Sequence, residues 1–447
     1  MANISSPRMT RAPVALGAPV QDVLTLAFSL ILSLVLIMGI VEFSSAWFWP
    51  QNGIDYFFTI ERIGGGPFRT ALWMFIALGF VGTILRGPNT PLLISFLPLA
   101  AFWFIALLSS AFGDNPVSSI WFLTLWSVMA CAALAIGSQM SGGQIGAVAA
   151  VAIGLVALLS LALYPIHPQW VTMQGGGKTL LRGLFMHKNA CGWFGAIGFL
   201  FLFSYTTGAN LFRYGVLALC VAMVLLSQSG TAFGVLIIGV AFLFVLRQLQ
   251  TSGANPFFKV LVIVLILVAL GVTINFILPA ITEALEKGQS LRNREAGWNL
   301  YLRFFEGHMV LGRGPGAFVT GTSVINRMIS ETFVNDLNMS VHNSYLALLG
   351  EVGVLGLSAY IGGYLYIIVI ASTRSQASRG DITAAILALG VLCSGFTEAR
   401  DTLVPHIATF LMLVARSSAV AQRYNALRRS RQAKGRQTAP VALAAAA

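Results

Sequence analysis

Residues 22–42 read DVLTLAFSLILSLVLIMGIVE, a run bounded by Asp22 and Glu42 with no charge between them. A bilayer hydrocarbon core about 30 Å thick takes roughly 20 apolar residues of helix, so this run is long enough to cross one. It exceeds the apolar region of a secretory signal and lacks a small-x-small cleavage site, despite Arg8 and Arg11 ahead of it. It therefore reads as an uncleaved first span. Moving outward with the same length predicts spans near 68–86, 91–109, 117–137, 143–164, 190–208, 211–227, 230–247, 257–278, 353–373, 381–397 and 403–421. The expected fold class is all-α, a polytopic transmembrane helical bundle of about 12 spans.

Composition excludes the soluble classes. Of 447 residues, 57% are hydrophobic and 9% charged, and the mean hydropathy is +0.81, whereas a soluble domain carries about 25% charged residues. The net charge of +12 would point to nucleic acid in a soluble chain. Here the basic residues sit in tails and short connections, so the bilayer is the expected partner and nucleic acid is not. The four cysteines (Cys131, Cys191, Cys220, Cys393) form no CxxC pair and no His/Cys ligand spacing, and they read as unpaired packing residues.

With the amino terminus inside, one face collects Arg8, Arg11, Arg86, Arg213, Arg247, Lys259, Arg374 and Arg379, and then Arg416, Arg423, Arg428, Arg429, Arg431, Lys434 and Arg436. That asymmetry orients a membrane protein with basic loops in the cytoplasm. The expected organisation is a cytoplasmic tail at 1–21, a transmembrane domain at 22–421, and a basic low-complexity tail at 422–447 read as disordered. The opposite face carries long loops at 43–67, 165–189 and 279–352, where function tends to reside. Within the last, Arg294, Trp298, Tyr301 and Phe305 recur at helical spacing opposite Glu295, Asn299, Arg303 and Glu306, which predicts an amphipathic interfacial helix.

The same loop closes on His342-Asn343-Ser344-Tyr345-Leu346-Ala347-Leu348-Leu349-Gly350-Glu351-Val352-Gly353-Val354-Leu355-Gly356. A histidine here stands where loop becomes helix, and the positive end of the helix dipole favours its neutral, proton-accepting form. Gly350, Gly353 and Gly356 would let a neighbouring helix come close. Taken alone, this is an interfacial histidine beside a glycine packing face.

The order of His, Asn, nine residues, Gly, two residues, Gly resembles the signature of the O-antigen ligase and Wzy-type polysaccharide polymerase superfamily. Two earlier segments agree in order: Arg182-Gly183-Leu184-Phe185-Met186-His187-Lys188-Asn189 with Gly192, and Arg294 with Trp298 followed by Leu311-Gly312-Arg313-Gly314-Pro315-Gly316-Ala317-Phe318. Both are similar to the family's exopolysaccharide-production branch, with weaker agreement at Asp114-Asn115-Pro116 and Glu398. Gly230 and Asn293 depart from the branch, which bears on substrate detail.

The resemblance implies a GT-C-type fold in the bacterial inner membrane with the site on the periplasmic side. It also implies transfer of an oligosaccharide from a polyprenyl-pyrophosphate carrier to a saccharide acceptor, alongside other polysaccharide-assembly proteins. His342 would be the general base, with Asn343 and Glu398 in support. A pyrophosphate donor calls for guanidinium forks, for which Arg182 and Arg294 are the candidates, with Lys188 and Arg313 behind them. Lipid-headgroup contact is the plain alternative for each cation. No Asp-x-Asp stands in the outer loops to hold a divalent metal, so neither metal nor cofactor is expected. A flippase for the same lipid-linked sugar is the competing class, but it would carry charges inside its spans, and these spans are nearly uncharged.

The loop assignment has a direct check. Single cysteines placed in 279–352 should react with an impermeant maleimide in intact spheroplasts. Labelling only after lysis would invert the orientation.

Overall fold

A computed structural model describes residues 18–44, 67–86, 90–175, 177–206, 210–272, 298–299, 301–303, 305–317, 343–396 and 405–444. The helices fall where the apolar runs place them: α1 Ala18–Phe43, α2 Pro67–Arg86, α3 Thr90–Phe112, α4 Pro116–Gln139 and α5 Gly142–Ile166. A single turn, α6 Pro168–Val171, leads into strands β1 Thr172–Gly175 and β2 Lys178–Leu181. There follow α7 Lys188–Tyr205, α8 Leu211–Ser227, α9 Gly230–Thr251, α10 Pro256–Val272, α11 Ser344–Thr373, α12 Arg379–Ser394 and α13 Ile407–Ala444. Among the described residues, six helices are long and apolar enough to cross a membrane: Thr25–Phe43, Thr90–Phe112, Pro116–Gln139, Gly142–Ile166, Gly230–Thr251 and Ser344–Thr373. Shorter apolar helices occupy Trp73–Leu85, Leu211–Ser227 and Pro256–Leu270.

Two features depart from the sequence reading. An antiparallel hairpin pairs Thr172 with Leu181 through Gly175 with Lys178, where an all-helical chain was expected; Gly177 at φ 72° supplies the left-handed turn. The tail also differs, because α13 continues to Ala444 through the stretch read as disordered. The stretch beyond Gln422 is rich in alanine, arginine, leucine and glutamine, all good helix formers, and it extends a helix whose nucleation cost the bundle has already met.

The surface is a belt of exposed large apolar side chains, among them Leu30, Leu78, Leu93, Phe104, Leu155, Phe244 and Leu265. An apolar surface of that extent suits lipid rather than water. The centre is held differently. Residues 407–421 of α13 are all buried, as is α12 from Gly380 to Ser394. Glycine lets α13 approach its neighbours: a side chain on Gly137 of α4 would strike the Val414 carbonyl and Ser417, and one on Gly380 of α12 would strike Ala415 and Ala419. The polar groups of this central helix find protein partners. Ser417 Oγ donates to the Leu134 carbonyl at 2.8 Å, Arg416 Nε to the Ser95 carbonyl at 3.0 Å, and Tyr364 and Thr409 hydroxyls meet at 2.9 Å.

Helix ends gather at two poles. One holds the ends of α3, α5, α8 and α12 and the starts of α4, α7, α9, α11 and α13; there Ser344 N donates to the Gly395 carbonyl and Asp114 N to the Arg313 carbonyl. At the other, Arg379 donates to the Thr206 carbonyl and Tyr205 to Ser418. This second pole is closed by Asp381, 3% exposed, which caps α12 with Ser378 and takes Arg423 and, at 3.5 Å, Arg374.

Removing that carboxylate should cost more than removing one arginine. Asp381→Ala loses the cap and two charge-assisted contacts, about 1–3 kcal/mol, whereas Arg374, whose side chain is 40% exposed, should contribute about 1 kcal/mol or less. Thermal unfolding in detergent should rank Asp381→Ala well below Arg374→Ala. Equal midpoints would show that the cluster is a solvated set of charges.

Candidate functional site

Of the residues that the sequence patterns single out, Arg182, Lys188, Arg313 and Asn343 are described, and they lie at the first pole. Arg182 stands immediately after β2. The hairpin turns the chain back so that Arg182 N and Gly183 N both donate to the Val171 carbonyl, at 2.8 and 2.9 Å. The Arg182 side chain is 7% exposed and gives Nη2 to the Trp170 carbonyl at 2.8 Å and Nη1 to the Phe185 carbonyl at 3.5 Å. Burial lowers the proton affinity of this guanidinium, and a fork held by two carbonyls keeps a fixed direction. Gly183, at φ 58°, has no room for a side chain beside Ser160, whose hydroxyl accepts Leu184 N at 3.2 Å. His187 caps α7 by accepting Asn189 N on Nδ1 at 3.2 Å. Lys188 opens α7 half-buried, with its backbone N on the Met173 sulfur at 3.4 Å.

Arg313 belongs to a second arrangement. In the 312–316 segment Gly312, Gly314 and Gly316 take φ of 73°, 102° and 76°, so the alternating glycines make a backbone path closed to side chains. Arg313 Nη1 pairs with Asp114 Oδ2 at 3.0 Å, and the Arg313 carbonyl accepts Asp114 N at 2.9 Å. Both charged side chains are part-exposed, so the contact positions more than it stabilises. The weak agreement noted at Asp114 thus has a physical role: it holds the glycine segment in place. Asn115, next to it, caps α4 by accepting Ser118 N at 3.2 Å.

Asn343 caps α11, its Oδ1 accepting Tyr345 N at 3.0 Å and Leu346 N at 3.1 Å. The cap is braced from α12, where Gly395 receives Ser344 N and the Leu392 carbonyl receives the Tyr345 hydroxyl. Tyr345 also meets Phe396 edge-on at 4.7 Å. Beside the cap lies a cavity of about 420 Å³ lined by Trp298, Asn299, Leu302, Asn343 and Leu346. Its two walls come from segments that the sequence patterns name separately. Trp298 and Leu302 stand four apart and Asn343 and Leu346 three apart, the spacings that put helical side chains on one face. The first wall is amphipathic as expected: Tyr301 and Phe305 are buried with ring centroids 6.5 Å apart, while Asn299, Arg303 and Glu306 are exposed. Burial pushes the Tyr301 phenol well above its ordinary range.

His342, Arg294 and Glu398 lie outside the described residues. The cavity lining does not include Arg182, Lys188 or Arg313. The expected glycine packing face takes another form. Gly353 sits at φ 67°, ψ −175° and breaks α11, and a side chain there would strike the Val310 carbonyl of the incoming loop. A helix does come close on α11, but lower down, where Gly363 faces the Pro98 carbonyl of α3. His406, which shows no partner pattern in sequence, is buried and its Nε2 accepts Trp193 Nε1 at 2.7 Å. Nothing in the sequence pairs these two residues, which stand on α7 and at the foot of α13. Asn299, Leu302 and Leu346 were also missed as lining; for Leu302 and Leu346 the helical spacing from Trp298 and Asn343 was a readable signal, whereas Asn299 follows Trp298 directly and falls on the face read as opposite.

The family model described as O-antigen ligase matches residues 215–361. It takes in α8 from Gly215, the 298–317 segment, the cap at Asn343 and the break at Gly353. Over that stretch the match supports the resemblance to the O-antigen ligase and Wzy-type superfamily, and the apolar helices fit a multi-pass membrane protein. No curated protein matches the chain.

The capping role of Asn343 has its own test. Asn343→Ala should cost about 1 kcal/mol by loss of the cap, and Asn343→Asp or Asn343→Ser should recover most of it. A cap-only role predicts that activity follows this same order. Activity lost equally in Asp, Ser and Ala variants would mean that the Asn343 amide itself serves the substrate.

Proposed function

We propose, from the premise that residues 215–361 form an O-antigen ligase domain, that this chain transfers an oligosaccharide from a polyprenyl-pyrophosphate carrier to an acceptor sugar. The observation that supports the reading is the cavity lined by Trp298 and Leu302 on one side and by Asn343 and Leu346 on the other, residues that follow the arginine and histidine motifs in sequence. On this reading the chain makes about 12 crossings in a GT-C-type arrangement. The first pole faces the periplasm of a bacterial inner membrane.

His342, one residue ahead of the cap, takes the proton of the acceptor hydroxyl as that oxygen attacks the anomeric carbon. The carbon–phosphate-oxygen bond breaks from the opposite side, which inverts the configuration. Arg294 and Arg182 receive the charge that builds on the leaving pyrophosphate, Lys188 and Arg313 add to the positive field, and Glu398 supports the site. No metal takes part. The exopolysaccharide branch supplies the preferred product, a growing polymer. Two geometric facts favour arginines in this role. Arg182 is held rigidly by backbone carbonyls, and Arg313 is oriented by Asp114, so their directions are set before a donor arrives.

Purified protein given a lipid-linked repeat unit should form longer products. His342→Ala should abolish them, because a general base contributes on the order of a hundred- to ten-thousand-fold, while donor binding persists. Arg294→Lys keeps the charge, forfeits the bidentate fork and should weaken donor use strongly. Arg429→Ala, on the exposed stretch of α13, is the control and should behave as wild type. His406→Ala is unsuitable as a control because it removes the Trp193 contact. A correctly inserted His342→Ala with near wild-type turnover would sink the general-base assignment.

A further inference from the structure

Glu351 is a charged residue with no exposed surface, two turns beyond the cap on α11. Its side chain Oε1 accepts Gly316 N at 3.1 Å. Its carbonyl accepts Gly314 N at 3.0 Å and the Ser109 hydroxyl at 2.6 Å. Neighbouring groups extend the same seam: Arg313 N donates to the Gly350 carbonyl at 2.7 Å, and Val354 N to the Met309 carbonyl at 2.8 Å. Gly312 leaves no space for a side chain against the Glu351 backbone. One buried residue therefore binds the 309–316 segment, the broken turn of α11 and the end of α3 together.

The seam joins the two walls of the cavity. Trp298, Asn299 and Leu302 lie just upstream of the 309–316 segment, and Asn343 and Leu346 lie just upstream of Glu351 on its own helix. Eight residues of helix place Glu351 about 12 Å from the cap, and with no exposed surface it does not line the cavity. We propose that Glu351 is a positioning residue: its buried side chain docks the glycine segment on α11 and so sets the separation of the cavity walls. Which reaction the cavity serves rests on the transferase reading above; that Glu351 sets its width does not.

Two readouts separate these claims. Leu302→Cys and Leu346→Cys, one on each wall, are joined with a short bifunctional maleimide in a Cys131→Ala background, which removes the native thiol that is not buried. Transfer from a lipid-linked repeat unit is followed in parallel. Glu351→Met keeps the length and volume but has no oxygen acceptor; Glu351→Gln keeps the acceptor. Misplacing reacting groups by about 1 Å costs on the order of a hundredfold, so Glu351→Met should slow both cross-linking and transfer by about tenfold or more. Glu351→Gln should stay close to wild type in both. A disulfide between Val310→Cys and Leu355→Cys, whose backbones already meet at 3.4 Å, should restore both readouts to Glu351→Met. Cross-linking that is unchanged in Glu351→Met overturns the proposal, whatever happens to transfer. A disulfide that forms without restoring cross-linking overturns it as well. Cross-linking that follows the prediction in a chain that transfers no sugar leaves the positioning role standing and removes the transferase reading.

Discussion

A helix broken inside an apolar bundle leaves backbone N–H and C=O groups without their usual partners, and there is little water to take them. At Gly353 this constraint is met by a second stretch of chain. The 309–316 segment lies along the break, offering the Met309 and Val310 carbonyls to Val354 and Leu355, and the Arg313 and Gly314 amides to Gly350 and Glu351. The segment fits only because its own glycines take left-handed backbone angles and Gly353 has no side chain to obstruct Val310. The break, the loop and the charge pair at Asp114 therefore form one interdependent unit. The cavity beside Asn343 inherits its shape from it.

The opposite pole shows the same economy with ordinary charges. Asp381 is shielded from solvent but served by Ser378, Arg374 and Arg423, so the end of α11, the start of α12 and the middle of α13 meet on one carboxylate. Between the poles, α13 runs through the bundle with its hydroxyls and guanidinium turned to backbone carbonyls of α3 and α4. A helix surrounded by protein can carry such groups, whereas one facing lipid cannot. That explains how the buried stretch of α13 carries Arg416, Ser417 and Ser418.

At the first pole, several polar side chains are already committed to the fold. Asn343 spends its carbonyl oxygen on two amides of α11, and His187 spends one ring nitrogen on α7. Arg182 spends donors on the Trp170 and Phe185 carbonyls, and Arg313 meets Asp114. Cations fixed in this way lose little further freedom when an anion binds, which is the physical meaning of preorganisation.

Much of the architecture was legible in the sequence because crossing a bilayer imposes a length and an apolarity that can be counted residue by residue. The helices from Ala18 to the buried stretch of α13 at 407–421 follow those runs, and the free cysteines were read correctly. The amphipathic pattern around Trp298 and the start of a helix just after His342 were legible too, since such signals are local, whereas the capping role of Asn343 was not read. The hairpin at Thr172–Leu181 and the helical continuation beyond Gln422 were not, because short strands carry little periodic signal and a basic alanine-rich stretch reads alike in helix and coil. Tertiary structure alone decided that Gly353 breaks a helix to admit a loop, that Glu351 anchors that loop, and that His406 belongs to Trp193. Each of those contacts joins residues far apart in the chain, and a pairing between distant residues is set by packing in three dimensions, which no local pattern encodes.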